Sequence, residues 1–271
     1  MNVLIEKFLR NIRKNGLLES IKKSYSFLID GKYGDIIEFK FKGNKSDIKN
    51  NIESKYNYQG DLLNIFIENK DNIVHKWHHY IPIYDAHLKK YKNKNIKILE
   101  IGVSKGGSLQ MWRKYFGSNA IIYGIDINPE TFIYNNIHAQ VRIGSQVDIK
   151  FLKSVVSEMG GIDIVIDDGS HQMNHINSTL NYLFPLLNNN GTYIIEDLHT
   201  AYWHKFGGGL NSKDNFFNSI RYLIDDMHHW YHNSKINFKN FKNLCYGIHV
   251  YDSIIVLDKN INHIPVHSEV S

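Results

Sequence analysis

The chain has one cysteine and four prolines in 271 residues. A single cysteine excludes a disulfide framework and sets the expectation of a reducing, cytoplasmic setting. Four prolines and 19 glycines exclude a collagen-like repeat. No apolar run approaches the roughly 18 residues a membrane-spanning helix needs. An excess of one charge is also missing. Lys plus Arg is 32 against 27 for Asp plus Glu, a net charge of +5, and the basic residues form no dominant block. Nucleic acid is therefore not an expected partner. What is present is 42% hydrophobic and 13% aromatic residues, too apolar for disorder and enough to bury a full core.

The first 28 residues lack the pattern of a secretion signal, because charges interrupt their short apolar runs. Leu4, Ile5, Phe8, Leu9 and Ile12 recur at helical spacing with Lys7, Arg10, Arg13 and Lys14 between them. This predicts an amphipathic helix packed on its own protein or on a second subunit, in preference to a membrane surface, and with it a homo-oligomer. Residues 35–42 read as a short strand. The polar stretch 43–57 reads as a mobile linker or an appended element. Residues 1–72 are thus expected to form an N-terminal helical or extended appendage, and 73–271 the main domain.

From residue 73 onward, short apolar strands alternate with helices. A helix is expected over 75–91, then strands over 96–102, 120–126, 139–143, 162–167 and 191–196. Helices are expected over 108–115, 148–158, 174–187 and 213–231. Such alternation predicts an α/β domain with a mostly parallel sheet covered on both faces. Residues 245–250 and 253–257 are joined too tightly for a crossover, so the sheet should close with an antiparallel strand.

In such sheets ligands bind beyond the carboxyl ends of the strands. The first strand runs into Gly102-Val-Ser-Lys-Gly106-Gly107-Ser108. Its G-x-x-x-G-G spacing lacks the second glycine of a dinucleotide fingerprint, which disfavours a nicotinamide enzyme and favours a ligand without bridging phosphates. Asp126 ends the second strand, 24 positions after Gly102, where a carboxylate accepts from ribose hydroxyls or caps a turn. Ser145 and Gln146 follow the third strand, in reach of an adenine edge. Asp167-Asp168-Gly-Ser-His171 and Glu196-Asp197 end the fourth and fifth strands. Carboxylates gathered at one rim need a cation, and oxygen donors suit Mg²⁺ (or Mn²⁺). Asp225, Asp226, His228 and His229 read as a solvated helix face, Cys245 as a buried strand residue, and Gly207-Gly-Gly209 as a mobile segment beside the cleft.

Residues 100–109, 167–171 and 195–200, with Lys76-Trp-His-His-Tyr80, Tyr84 and 247–253, resemble the metal-dependent, S-adenosylmethionine-dependent sugar O-methyltransferases, a group that includes mycinamicin and rhamnosyl O-methyltransferases. The resemblance covers about residues 74–260 and implies a Rossmann-like class I methyltransferase fold with a seven-stranded sheet. It implies Asp168, Glu196 and Asp197 as metal ligands and His171 as general base. It also implies S-adenosylmethionine held by Glu100, Gly102, Ser104, Gly106, Ser108, Asp126, Ser145, Gln146, Asp167 and Tyr80. The implied acceptor is a small molecule, a nucleotide-linked sugar or a surface glycan of capsule or lipopolysaccharide type, which the mild positive charge would suit. Cephalosporin hydroxylases fall in the same superfamily, so the acceptor is not fixed by it. The alternatives are methylation of another small or phosphorylated hydroxyl compound, and a non-catalytic S-adenosylmethionine-binding module.

Overall fold

The computed structural model describes residues 39–233 and 243–271, together with Leu17, Ile21 and Phe241. The amphipathic pattern of residues 4–14 and the start of the expected strand at 35–42 lie outside the described residues. Phe39 to Lys42 form no strand and are exposed.

The polar stretch expected as a linker is ordered. Lys45–Tyr56 (α1) and Asp61–Ile67 (α2) are helices. Asn44 starts α1 by accepting from the Ser46 and Asp47 backbone N–H groups, while the Asp47 carboxylate accepts from the Asn44 N–H. This reciprocal cap satisfies amides that a helix end leaves unpaired. Ile52, Leu62 and Leu63 are fully buried and join the core on one face of the sheet. Three well-placed apolar side chains anchor a segment whose average composition reads as solvent-exposed.

Next come Tyr80–Leu88 (α3), Lys97–Ile101 (β1), Gly107–Phe116 (α4), Ile121–Asp126 (β2) and Gln140–Ile143 (β3). The expected helix from 75 begins only at Tyr80, because residues 75–79 form an irregular strap and turn at the strand ends, where Lys76 meets Asp168 and Glu196. Ile149–Met159 (α5), Ile162–Asp167 (β4), Met173–Leu183 (α6), Leu187–Ile195 (β5) and Phe216–Met227 (α7) follow. Cys245–Tyr251 (β6) and Ile254–Lys259 (β7) are the last regular elements among the described residues.

The seven strands lie in the order β3-β2-β1-β4-β5-β7-β6. The first five are parallel, and β7 inserts antiparallel between β5 and β6. Alternation along each strand divides the core. Leu99, Ile101, Val165, Tyr193 and Ile195 pack with α5, α6 and α7, while Ile98, Ile164, Ile166 and Ile194 pack with α1 to α4. Burial on both faces explains the near-continuous apolar runs of these strands.

Register fixes the site. Ile101 pairs with Asp167, and Asp167 pairs with Ile195. The residues immediately beyond are Gly102, Asp168 and Glu196, which therefore emerge side by side. Backbone bonds extend the ladder past the strands: Asp168 N–H donates to Ile101 C=O and Glu196 N–H to Asp167 C=O, both at 3.0 Å.

Candidate active site

A cavity of about 430 Å³ opens beyond these strand ends. Its walls include Gly102, Ser104, Ser108, Asp126, Ser145, Gln146, Asp168, His171, Glu196, Asp197 and Tyr80. Gly102 has φ +95°, and a Cβ there would stand 2.1 Å from the Asp168 carbonyl oxygen. The glycine thus lets the first turn lie directly against the acidic one. Gly107 performs the same service for the strap, since a Cβ there would stand 2.3 Å from the Ile73 carbonyl.

Three residues expected on the methyl donor stand behind the wall. Glu100 falls on the α4 face of β1, where its carboxylate accepts from the Ser108 hydroxyl at 2.9 Å and the Trp112 indole N–H at 3.1 Å. Burial pushes its pKa up to about 7. Asp167 lies on the opposite face and accepts from the Gln146 amide at 3.2 Å; burial raises it to about 6. Gly106 has φ +70° at the start of α4, under the ring of Tyr134. Asp126 does line the cavity, and it also shapes the turn. Its Oδ2 accepts from the Val103 and Ser104 amides at 2.9 and 3.0 Å, and its Oδ1 from Asn128.

The acidic rim has a feature the sequence hid. Lys76, delivered by the strap, is buried among the acids and donates to Asp168 Oδ2 at 2.6 Å and Glu196 Oε2 at 2.7 Å. Burial opposes its charge, but Asp168, Glu196 and Glu100 outweigh that and hold its pKa above the ordinary value. Trp77 Nε1 and the Tyr80 hydroxyl both reach Asp197 Oδ1, at 3.0 and 3.1 Å. Tyr80 is further fixed by Ser253.

Each acid therefore has one oxygen anchored and one left over. Asp168 Oδ1 and Asp197 Oδ2 face His171 Nε2 at 3.8 and 3.9 Å, beyond hydrogen-bond length. Glu196 Oε1 is buried with no hydrogen-bond partner. Three carboxylates against one ammonium leave two negative charges if all ionise, and burial together with Asp168 drives the Glu196 pKa well up. The two unanchored oxygens of Asp168 and Asp197 are hard donors that fit a divalent cation, and the buried, unpartnered Glu196 oxygen belongs to the same acidic cluster. Asp168, His171 and Asp197 each bring a donor atom within 4.8 Å of the others. His171 and Asp197 also hold left-handed backbone, φ +55° and +56°. Strain of this kind collects where function over-determines geometry.

Lys76 was missed because a single lysine in a lysine-rich chain carries no signal of its own; only its place in the 76–80 motif marks it. The 207–209 glycines prove packed, with Gly209 N–H bonded to Ala201 C=O and no room for a Cβ at Gly208 beside that carbonyl. At 225–229 only part of the expected solvated helix face holds: Asp225 pairs with Arg221, but Asp226 is buried, and His228 and His229 lie beyond the end of α7 with their rings bonded to backbone carbonyls. Cys245 is buried on β6.

A sheet of this order, with its glycine turn on β1 and one late antiparallel strand, is the Rossmann-like methyltransferase fold. A methyltransferase-domain family model matches residues 99–198, so this part of the chain carries a methyltransferase domain. It is 35% identical over 216 residues to an 8-demethyl-8-(2-methoxy-alpha-L-rhamnosyl)-tetracenomycin-C 3'-O-methyltransferase of Streptomyces olivaceus, covering 75% of this chain and 55% of that protein. It is also 35% identical over 198 residues to the mycinamicin VI 2''-O-methyltransferase of Micromonospora griseorubida, covering 68% of this chain and 49% of that one. The mycinamycin-pathway methyltransferase MycE, solved with Mg, SAH and mycinamycin VI, superposes with a TM-score of 0.64 at 29% identity, over 82% of this chain and 54% of that one. The chain spans about half the length of the curated relatives it matches.

Proposed function

We propose that this protein transfers a methyl group from S-adenosylmethionine to a sugar hydroxyl, with a divalent cation at the rim and His171 as general base. The observation that carries this is the set of half-anchored acids: Asp168 and Asp197 each hold an oxygen in reserve around His171, and Glu196 keeps a buried oxygen without a partner behind them. The Asp168 and Asp197 oxygens, with Glu196 completing the acidic cluster, would hold the cation, which when bound lowers the pKa of a coordinated hydroxyl.

The chain's own residues do the rest. Lys76 and Trp77 fix the carboxylates so that their free oxygens stay converged. His171 Nε2 makes no hydrogen bond to either flanking acid, which leaves it to accept the hydroxyl proton. The Gly102–Ser108 turn, Asp126, Ser145 and Gln146 line the part of the cavity suited to the donor's adenosine. The donor's methyl is already activated, so alignment is the main demand on the protein.

Two carriers of the acceptor sugar fit the metal chemistry: a nucleotide diphosphate, as in surface-glycan assembly, and an uncharged aglycone. The names of the relatives, which describe sugars on tetracenomycin, support the second. The test is methyl transfer from S-adenosylmethionine to a glycoside panel with and without EDTA. Turnover abolished by chelator and restored by Mg²⁺ is expected; chelator-insensitive turnover would remove the metal mechanism. Among the described residues no helix is long and apolar enough to cross a membrane.

A further inference from the structure

Among the described residues, two groups of histidine and acidic side chains bring three donor atoms within 4.8 Å of one another. One is the rim. The other is His87, His249 and Asp258, at the β6 edge of the sheet, and none of these lines the strand-end cavity. We propose that this second group is a cation site for a borderline transition ion of the Zn²⁺ class, which ties the end of α3 to the sheet edge. The proposal is independent of the methyltransferase reading.

Topology builds the group from three elements. β6 and β7 pair antiparallel, with Gly247 opposite Asp258 and His249 opposite Val256. Alternation puts His249 and Asp258 on one face as diagonal neighbours. It is the face of α3, because Val256 shares a core cluster with Tyr84 and Leu88. His249 Nε2 lies 2.8 Å from Asp258 Oδ2. His87, in the last turn of α3, completes the group, with its ring centroid 4.5 Å from that of His249. Gly247 keeps the approach open. A Cβ there would stand 3.5 Å from both Asp258 Oδ2 and His249 Nε2, so a longer side chain would lie over the donors.

The surroundings hold the donors in place. Asp258 Oδ1 accepts from the Thr192 hydroxyl at 3.4 Å, which leaves Oδ2 to the histidines. The Tyr251 hydroxyl lies 2.9 Å from His87 Nε2. Outer partners of this kind orient the ligands of metal sites. Lys90 Nζ is 3.5 Å from Asp258 Oδ1, but its side chain is 46% exposed and free to turn into solvent as a cation enters. A hydrogen-bonded pair accounts for His249 and Asp258; it does not account for a second imidazole set against the first. The donor set decides the ion. Two imidazoles and one carboxylate suit Zn²⁺, Co²⁺ or Ni²⁺ and leave a fourth position for water, whereas Mg²⁺ prefers oxygen donors. Zn²⁺ bonds of about 2.0–2.2 Å put tetrahedral donors about 3.3 Å apart. Small turns of three half-buried side chains reach that spacing. The consequence is mechanical. α3 begins at Tyr80, which reaches Asp197 on the rim, and a cation at His87 secures the same helix from its other end.

The test is metal binding by the full chain, free of any affinity tag, stripped with EDTA and then held in excess Mg²⁺. Calorimetry titrates Zn²⁺ into it. A micromolar or tighter Zn²⁺ site is expected, and Co²⁺ in its place should give the intense visible absorption of a four-coordinate ion. His87→Gln and His249→Gln should each weaken that site at least tenfold. Asp168→Asn, at the rim, should leave it unaltered. No Zn²⁺ binding in excess Mg²⁺ would overturn the proposal, as would an affinity unaltered in both histidine variants or lost in Asp168→Asn alone. A second measurement needs no variant and so survives any misfolding of these. Zinc-edge anomalous diffraction from crystals of the unaltered chain, grown with Zn²⁺ and Mg²⁺, should show a peak between the His87 and His249 side chains. A peak at the rim alone, or at neither place, would overturn the assignment.

Discussion

The strand-end cavity and an aromatic cleft beside it share one wall, Trp77, and are otherwise built in opposite ways. The cavity is held by backbone: parallel register puts Gly102, Asp168 and Glu196 at one level, and ladder hydrogen bonds continue through them. The cleft is held by side chains from four stretches, around residues 39, 77–79, 199–203 and 252–253. A site made of strand ends has little freedom in where its charges go. A site made of packed rings can change composition without disturbing the sheet. The first arrangement suits chemistry common to a family, and the second leaves room for variation within it.

That contrast is open to attack. The largest expected effect is on turnover: His171→Ala should lower kcat by about 10²–10⁴ while calorimetry shows S-adenosylmethionine affinity unchanged. An active variant would break the assignment of a base to the rim. Next comes Lys76→Met. Removing one partner of a buried ion pair leaves uncompensated charge, so denaturant titration should show a loss of about 3–5 kcal/mol. Saturating Mg²⁺ should recover part of it, since the cation takes up the stranded charge. No loss would mean that the rim does not depend on its ammonium.

Trp77→Phe separates the two regions. It keeps a ring in the cleft and deletes the indole bond to Asp197. Removing such an anchor should weaken Mg²⁺ binding by about 10–100-fold, read by metal titration. Unaltered Mg²⁺ affinity would show that the shared wall does not serve the rim.

The smallest effect is the pH dependence of stability at Glu100. Its folded pKa of about 7 lies above its ordinary value of 4.5, so folding favours the protonated form. That contribution is complete below about pH 4.5 and is lost as pH rises through 7. Melting temperature should therefore fall from pH 5 to 8. The fall should be shallower in Glu100→Gln, which can place its oxygen on Trp112 and its amide on Ser108. An unchanged slope would sink this account; Asp167, raised to about 6, and Glu196, driven up by burial and Asp168, contribute to the remainder.

The strand-end residues were legible because parallel strands broadcast their ends: an apolar run stops, and glycines or acids begin. Asp168, His171, Glu196 and Asp197 could be named on that basis, and they converge in the structure. Glu100 was legible as a strand residue but not as a buried one, since only the α4 packing shows which face it takes. Helix α1 was illegible for a different reason. Its stability rests on one cap and on Ile52, too few residues to register against a polar background.

The sequence by itself determined the strand-helix order, the glycine turn and the acidic rim, because those follow from short-range periodicity and from where it breaks. Only the tertiary structure decided that Lys76 counters the rim and that Trp77 divides cavity from cleft. It also decided that residues as far apart as Phe39 and Ser253 line one aromatic space. Such contacts join segments 92 to 120 positions apart or more, and no local pattern encodes a meeting that register and strand order must first bring about.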